Sequence, residues 1–186
     1  MLIIKAFLLA LVTASGAVRQ AESDALRQTA PTYLAGEGKA ALHLAGSTLA
    51  GALFSIDPEL LLAIAYRESR YTLGVAGPEV RGRRACGLMQ PLMHAGRCRE
   101  QTVLGGYLEG ANHFRAWLDT STCRGDVRCA LLGYSGGYSL LKGCAIGPVV
   151  VERNGKHADL CKLIPGSTLA RAEAIRSRLK HAQGST

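Results

Sequence analysis

No Cys-x-x-Cys pair and no cluster of histidines occurs in this chain of 186 residues, so the usual zinc-ligand spacings are missing and neither a metal nor another cofactor is expected. His94 and Cys98 stand at helical spacing, but two ligands do not make a structural site. A regular alternation of strand and helix patterns is absent too, which excludes a doubly wound parallel sheet. Internal repeats and long low-complexity segments are lacking. The apolar run near the start, from Ala6 to Val12, is too short to span a bilayer by itself. Tryptophan occurs once.

That short run follows Lys5 and precedes the small residues Ala14, Ser15, Gly16 and Ala17, the order of parts in a secretory leader. Residues 1–17 are therefore expected to be a signal peptide, cleaved after Ala14 or Ala17, with an uncleaved anchor as the alternative. No cysteine lies at its end to accept a lipid. The remainder is long enough for one domain with a real core. It is basic: the formal charge is +8, of which the leader holds only Lys5. Behind a leader, such charge suits an anionic wall polymer or carboxylate-bearing wall better than nucleic acid, which is not expected as a partner. The reading is a periplasmic or secreted monomer. Six cysteines, an even count, point to disulfides in that compartment. Short-range closure gives Cys86–Cys98, Cys123–Cys129 and Cys144–Cys161, one of fifteen possible pairings.

Along the chain, residues 18–38 are polar and read as a short helix followed by a loop, or as partly disordered. Over 39–54, Leu42, Ala45, Leu49 and Leu53 recur at helical spacing and are expected to face inward. Over 104–118, Tyr107, Ala111, Phe114, Trp117 and Leu118 mark a core helix. Gly125-Asp126 opens another, with Val127, Ala130, Leu131 and Tyr134 on one face and Gly136-Gly137 expected to stop it. Residues 149–151 suit a short strand, and 167–181 a helix with Leu169, Ala172, Ile175 and Leu179 inward and arginines outward.

The informative stretch is 57–90. Asp57 can cap a helix whose first position is Pro58, where the missing N–H costs nothing. Leu61, Ile64, Ala65 and Glu68 then share one helical face, so a carboxylate ends an apolar stripe. Desolvation there disfavours the charged form and makes Glu68 a candidate general acid. A glycine- and arginine-rich loop or small hairpin follows, carrying Arg81, Arg83 and Arg84, and then Gly87-Leu88-Met89-Gln90, expected to end as a turn with Gln90 extended before Pro91.

Glu68-Ser69, Gly87-Leu88-Met89-Gln90 and Gly133-Tyr134-Ser135-Gly136-Gly137, in that order, resemble the three motifs of the lytic transglycosylases in the goose-type-lysozyme-like superfamily. The resemblance covers 57–142. It implies a mainly α, lysozyme-like helical domain over 39–186, with a small irregular or β-hairpin segment beside the groove. It implies cleavage of peptidoglycan glycan strands between N-acetylmuramic acid and N-acetylglucosamine, with formation of a 1,6-anhydro ring. Glu68 would be the catalytic acid, then base. Ser69, Gly87, Leu88, Met89, Gln90, Tyr134 and Ser135 would form the substrate site, with Ser135 where the family has asparagine.

Three rivals stand beside it. A goose-type lysozyme would hydrolyse the same bond, with Glu79 as the one acid available on the loop to position water. A non-enzymatic module would bind peptidoglycan or serve a secretion or pilus machinery. Gly133-x-Ser135-x-Gly137 also matches the serine-hydrolase nucleophile elbow, but an elbow needs a strand before the serine, and here a helix comes first.

Overall fold

The computed structural model describes residues 20–36, 38–94, 102–153 and 155–184. The described chain is mainly helical, with two small antiparallel hairpins. The first helix, α1, covers 20–29. It is followed by α2 (Lys39–Phe54), α3 (Pro58–Ser69), β1 (Arg83–Ala85), β2 (Leu92–His94), α4 (Val103–Leu118), α5 (Val127–Ile146), β3 (Val150–Arg153), β4 (Lys156–Asp159) and α6 (Leu160–Gly184).

Helix α3 is the centre. Asp57 caps it as its sequence suggests, its side chain accepting from the Glu59 N–H at 3.1 Å. Residues 60–65 are all buried, so this helix has core on nearly every side. Each of its larger apolar side chains is worth about 1.5–3 kcal/mol of transfer free energy. It packs among α2, α4 and α6, while α5 bridges α4 and α6. The polar segment before α2 joins the same core through Leu26 and Leu34, both without exposure.

Helix α2 forms where expected but turns the other way. Leu42, Leu49 and Leu53 are 59%, 46% and 64% exposed, and the buried face is Ala40, His43, Gly46, Ser47, Ala50 and Gly51. The reason is proximity to α4. A Cβ on Gly46 would lie 2.8 Å from the Tyr107 ring, a separation that a leucine-lined face could not reach. His43 fills the remaining space, its Nδ1 3.1 Å from the Tyr107 hydroxyl.

Two more expectations change. Gly137 breaks α5, with φ 63° and ψ −163°, but the helix resumes and runs on to Ile146 instead of stopping. Helix α6 starts at Leu160, not at 167, and carries Pro165 inside it. Asp159 accepts from the Cys161 N–H at 3.0 Å at this start, and Pro165 follows within the second turn, close enough to the helix N-terminus to be tolerated there by a tertiary packing that buries it. Ala172, Ile175 and Leu179 point inward as read.

Cys123–Cys129 staples the α4–α5 turn. Cys144–Cys161 ties α5 to α6 across the β3–β4 hairpin, a closure worth about 3 kcal/mol by the chain-entropy account. Cys86 is also a disulfide cysteine, but its expected partner Cys98, like the leader at 1–17, lies outside the described residues.

Candidate active site

A cleft of about 660 Å³ opens between α3, the β1–β2 hairpin, α4 and α5. Its wall from α3 is Glu68, in the helix's last turn. That turn is fixed from both sides. Arg70 and Tyr71 take positive φ (57° and 60°) to end the helix, and Tyr71, 1% exposed, is wedged against the His43 and Tyr66 rings at 4.9 and 5.7 Å. Glu68 Oε1 is buried and accepts no hydrogen bond. The Arg67 guanidinium stands 3.8 Å away, too far to donate. Burial raises the Glu68 pKa from its ordinary value, and Arg67 offsets only part of that rise.

The Gly-Leu-Met-Gln segment is the connection of the β1–β2 hairpin, since Ala85 pairs with Leu92 across it. Gly87 has φ 73°. Leu88 and Met89 have no exposure and serve as the cleft's foundation, not its lining. Gln90 does line the cleft, yet with φ 54° and not in the extended conformation its proline neighbour favours. Its side-chain amide compensates by donating to the Val75 and Gly87 carbonyls, both at 2.7 Å, so Oε1 is the end left for a ligand.

Opposite, α5 presents Gly133, Tyr134, Ser135, Gly136, Gly137 and Tyr138 to the cleft. The Tyr134 hydroxyl donates to the Met89 carbonyl at 2.7 Å and so ties α5 to the hairpin connection. Burial and the nearby Glu68 charge hold this phenol protonated, well above the ordinary tyrosine range. Ser135 Oγ, like Glu68 Oε1, is buried without a partner. Ser135 sits inside a helix, not on a strand-to-helix elbow.

Of the residues singled out in the sequence, the cleft thus gathers Glu68, Gln90, Tyr134 and Ser135. Ser69 lies apart: it is buried and its hydroxyl donates back to the Ala65 carbonyl at 3.1 Å. Arg83 reaches the cleft from the arginine-rich segment, whereas Arg84 stands 3.8 Å from the half-exposed Glu79 on the hairpin. Glu79 does not line the cleft, and among the described lining residues Glu68 is the only carboxylate.

The sequence reading missed His113 on α4 and Thr120 just past its end, and it counted Trp117 as core, whereas all three line the cleft. These fall at i, i+4 and i+7 beside the core stripe, a second face that was there to be read. Burial, helped by Arg83, lowers the His113 pKa and favours a neutral imidazole. Trp117 and Tyr138 meet with ring centroids 4.9 Å apart, and His113 and Tyr134 at 5.2 Å, so aromatic surface covers one wall. Such a wall suits a ligand with apolar ring faces and polar edges.

No protein-family model matches the chain, and comparisons with curated proteins and with solved structures found no match either.

Proposed function

We propose that the protein is a peptidoglycan lytic transglycosylase, exported to act on the cell wall. The observation that carries this reading is the pairing of a desolvated carboxylate that accepts no hydrogen bond with an aromatic-walled cleft. Glu68 Oε1 has no hydrogen-bond partner, its pKa is raised, and no second acid among the described residues shares the cleft.

Glycoside hydrolysis ordinarily needs two carboxylates, one as acid and the other as nucleophile or as base for water. With one, the chemistry that closes is internal. Glu68, protonated, gives its proton to the glycosidic oxygen as the bond from that oxygen to the muramyl C1 breaks. The resulting carboxylate takes the proton of the muramyl 6-hydroxyl as O6 bonds to C1. The acid is regenerated and no water enters. The raised pKa serves the first half, and the aromatic wall offers apolar surface for a sugar ring face. Ser135 Oγ and Gln90 Oε1 are the polar ends left to meet sugar hydroxyls or amides. The Tyr134–Met89 hydrogen bond positions the hairpin connection facing the acid.

Among the described residues the hydrolytic alternative finds no second acid in the cleft, because Glu79 is outside it and beside Arg84. A pure binding module leaves the unpaired Glu68 oxygen without a purpose. The test is product mass. Peptidoglycan treated with the purified protein should yield 1,6-anhydro-muropeptides, and Glu68→Gln, which keeps shape but removes the transferable proton, should lower the rate at least a thousandfold. Products heavier by one water refute the transglycosylase reading, and wild-type protein that binds but never cleaves refutes the enzyme.

A further inference from the structure

A second cavity, of about 440 Å³, lies between α3 and α6 and has the opposite electrostatics. Three arginines line it: Arg67 and Arg70 at the end of α3, and Arg171 from the middle of α6. No aspartate or glutamate is among its lining residues. Further along α6, Arg176 pairs with both Asp57 and Glu173, and Arg178 donates to the Gln28 side-chain oxygen at 3.3 Å. Arg70 and Arg171 make no ion pair with a carboxylate among the described residues.

Arg171 and Arg70 both stack on Tyr66, with guanidinium carbons 3.4 and 4.3 Å from the ring centroid. One such contact is a stabilising cation–π pair worth about 0.5–2 kcal/mol. Here one ring carries two guanidinium groups, neither with a carboxylate partner, and Arg67, which stands beside Glu68, lines the same cavity. The negative end of α3 eases Arg67 and Arg70, but Arg171 stands far from either end of its own helix and gains nothing from a dipole. Two of the hydroxyls here have spent their protons. Thr168 Oγ1 donates to the Ile164 carbonyl at 2.8 Å, and Ser167 Oγ to the Leu163 carbonyl at 2.6 Å. The donors left to line the cavity are the guanidinium N–H groups and the Tyr66 hydroxyl, which suit a ligand rich in acceptors.

We propose that this pocket binds an oxyanion, a carboxylate or phosphate group carried by a larger ligand, clamped by Arg67, Arg70 and Arg171. Planar guanidinium forks suit either oxyanion. The net charge of +8 would favour encounter with an anionic polymer or surface that presents such groups. Arg67 belongs to this wall and also stands 3.8 Å from Glu68, so the bound anion would be separated from the acid by a single side chain. The binding itself does not depend on the cleavage reading, and calorimetry detects it whether or not the protein cuts glycans.

The experiment titrates the purified protein with inorganic phosphate in one arm and succinate in another, at constant low ionic strength. Saturable one-to-one binding in the millimolar range or tighter is expected in at least one arm. The phosphate arm points to a phosphorylated polymer or lipid headgroup and the succinate arm to a carboxylate-bearing ligand. Arg171→Gln should weaken binding at least tenfold, and Arg178→Gln, on the same helix but outside the pocket, should leave it unchanged. Ser167→Glu, on an exposed helical position, supplies a carboxylate in place of the ligand; it should abolish binding while raising the melting temperature. No saturable binding in either arm, or binding that survives Ser167→Glu, overturns the proposal.

Discussion

Gly110→Ala tests the link between packing and the cleft. In a helix interior this change ordinarily stabilises, by about 0.5–1 kcal/mol, because alanine loses less backbone entropy on folding. At Gly110 the new methyl would lie 2.4 Å from Met89 Sδ, 2.5 Å from its Cβ and 2.8 Å from its Cγ. The sulfur could swing aside, but the Cβ moves only with the backbone. That backbone carries the carbonyl that Tyr134 holds and the motif that supports Gln90. Overpacking of this kind costs about 1–3 kcal/mol, and with the Cβ of Met89 unable to yield, the upper part of that range applies, so the net result is a loss of up to about 2.5 kcal/mol. Gly166, in α6, supplies the control, because a methyl added there would meet nothing within 4 Å. Gly166→Ala should gain about 0.5–1 kcal/mol. Urea denaturation of the two variants beside wild type should therefore move the midpoints in opposite directions, with unchanged slopes. Gly110→Ala at or above wild-type stability would refute the tight seating of Met89 under α4.

Tyr134→Phe keeps the ring but leaves the Met89 carbonyl without its donor, at a cost of about 1–3 kcal/mol, and glycan cleavage should fall while the circular dichroism spectrum stays native. Cleavage should decline as pH rises through the elevated Glu68 pKa. Because Arg67 favours the ionised form, Arg67→Met should carry that decline to higher pH; an unmoved or lowered limb contradicts the assignment. His43 adds an acid sensitivity to the fold. Burial first, and Lys39 second, lower its pKa from 6.5 to about 4, so the unfolded chain binds the extra proton in that window. Stability is full above pH 6.5 and should drop by about 3 kcal/mol as pH falls toward 4. Denaturation midpoints that do not fall with pH over this range, or fall equally in His43→Gln, would count against it.

How far the sequence could be read depended on whether local chemistry decided the outcome. The α3 start was legible because Asp57-Pro58 is a local signal, and the burial of Glu68 followed from spacing along a single helix. The inward face of α2 was misread because leucine outranks glycine and serine on hydrophobicity alone. What decided it was the distance to α4, set by Gly46 against Tyr107, which no local pattern records. Gln90 departed from its extended expectation for a similar reason, since two hydrogen bonds to Val75 and Gly87 outweighed a local steric preference. At Gly136-Gly137 the glycines did interrupt the helix, but continuation depended on Leu140 and Leu141 finding the core, which is a tertiary fact. His113 escaped notice because it flanks a core stripe and carries no motif of its own, and Trp117 reads as part of that stripe, although it lines the cleft.

The interruption at Gly137 also changes what kind of recognition the cleft can offer. Its dihedral angles lie in a region essentially closed to residues with a Cβ, so the break is encoded by the lack of a side chain. A helix hides its amide and carbonyl groups in its own ladder, but on either side of a break some of those groups lose their internal partners. Here the break lies in the cleft wall, flanked by Ser135 and Tyr138. Any amide or carbonyl freed by the break would lie on the wall that a ligand meets. Mutation can replace a side chain that reads a sugar hydroxyl, but a peptide group that reads one persists through almost any substitution except at the glycine that exposes it.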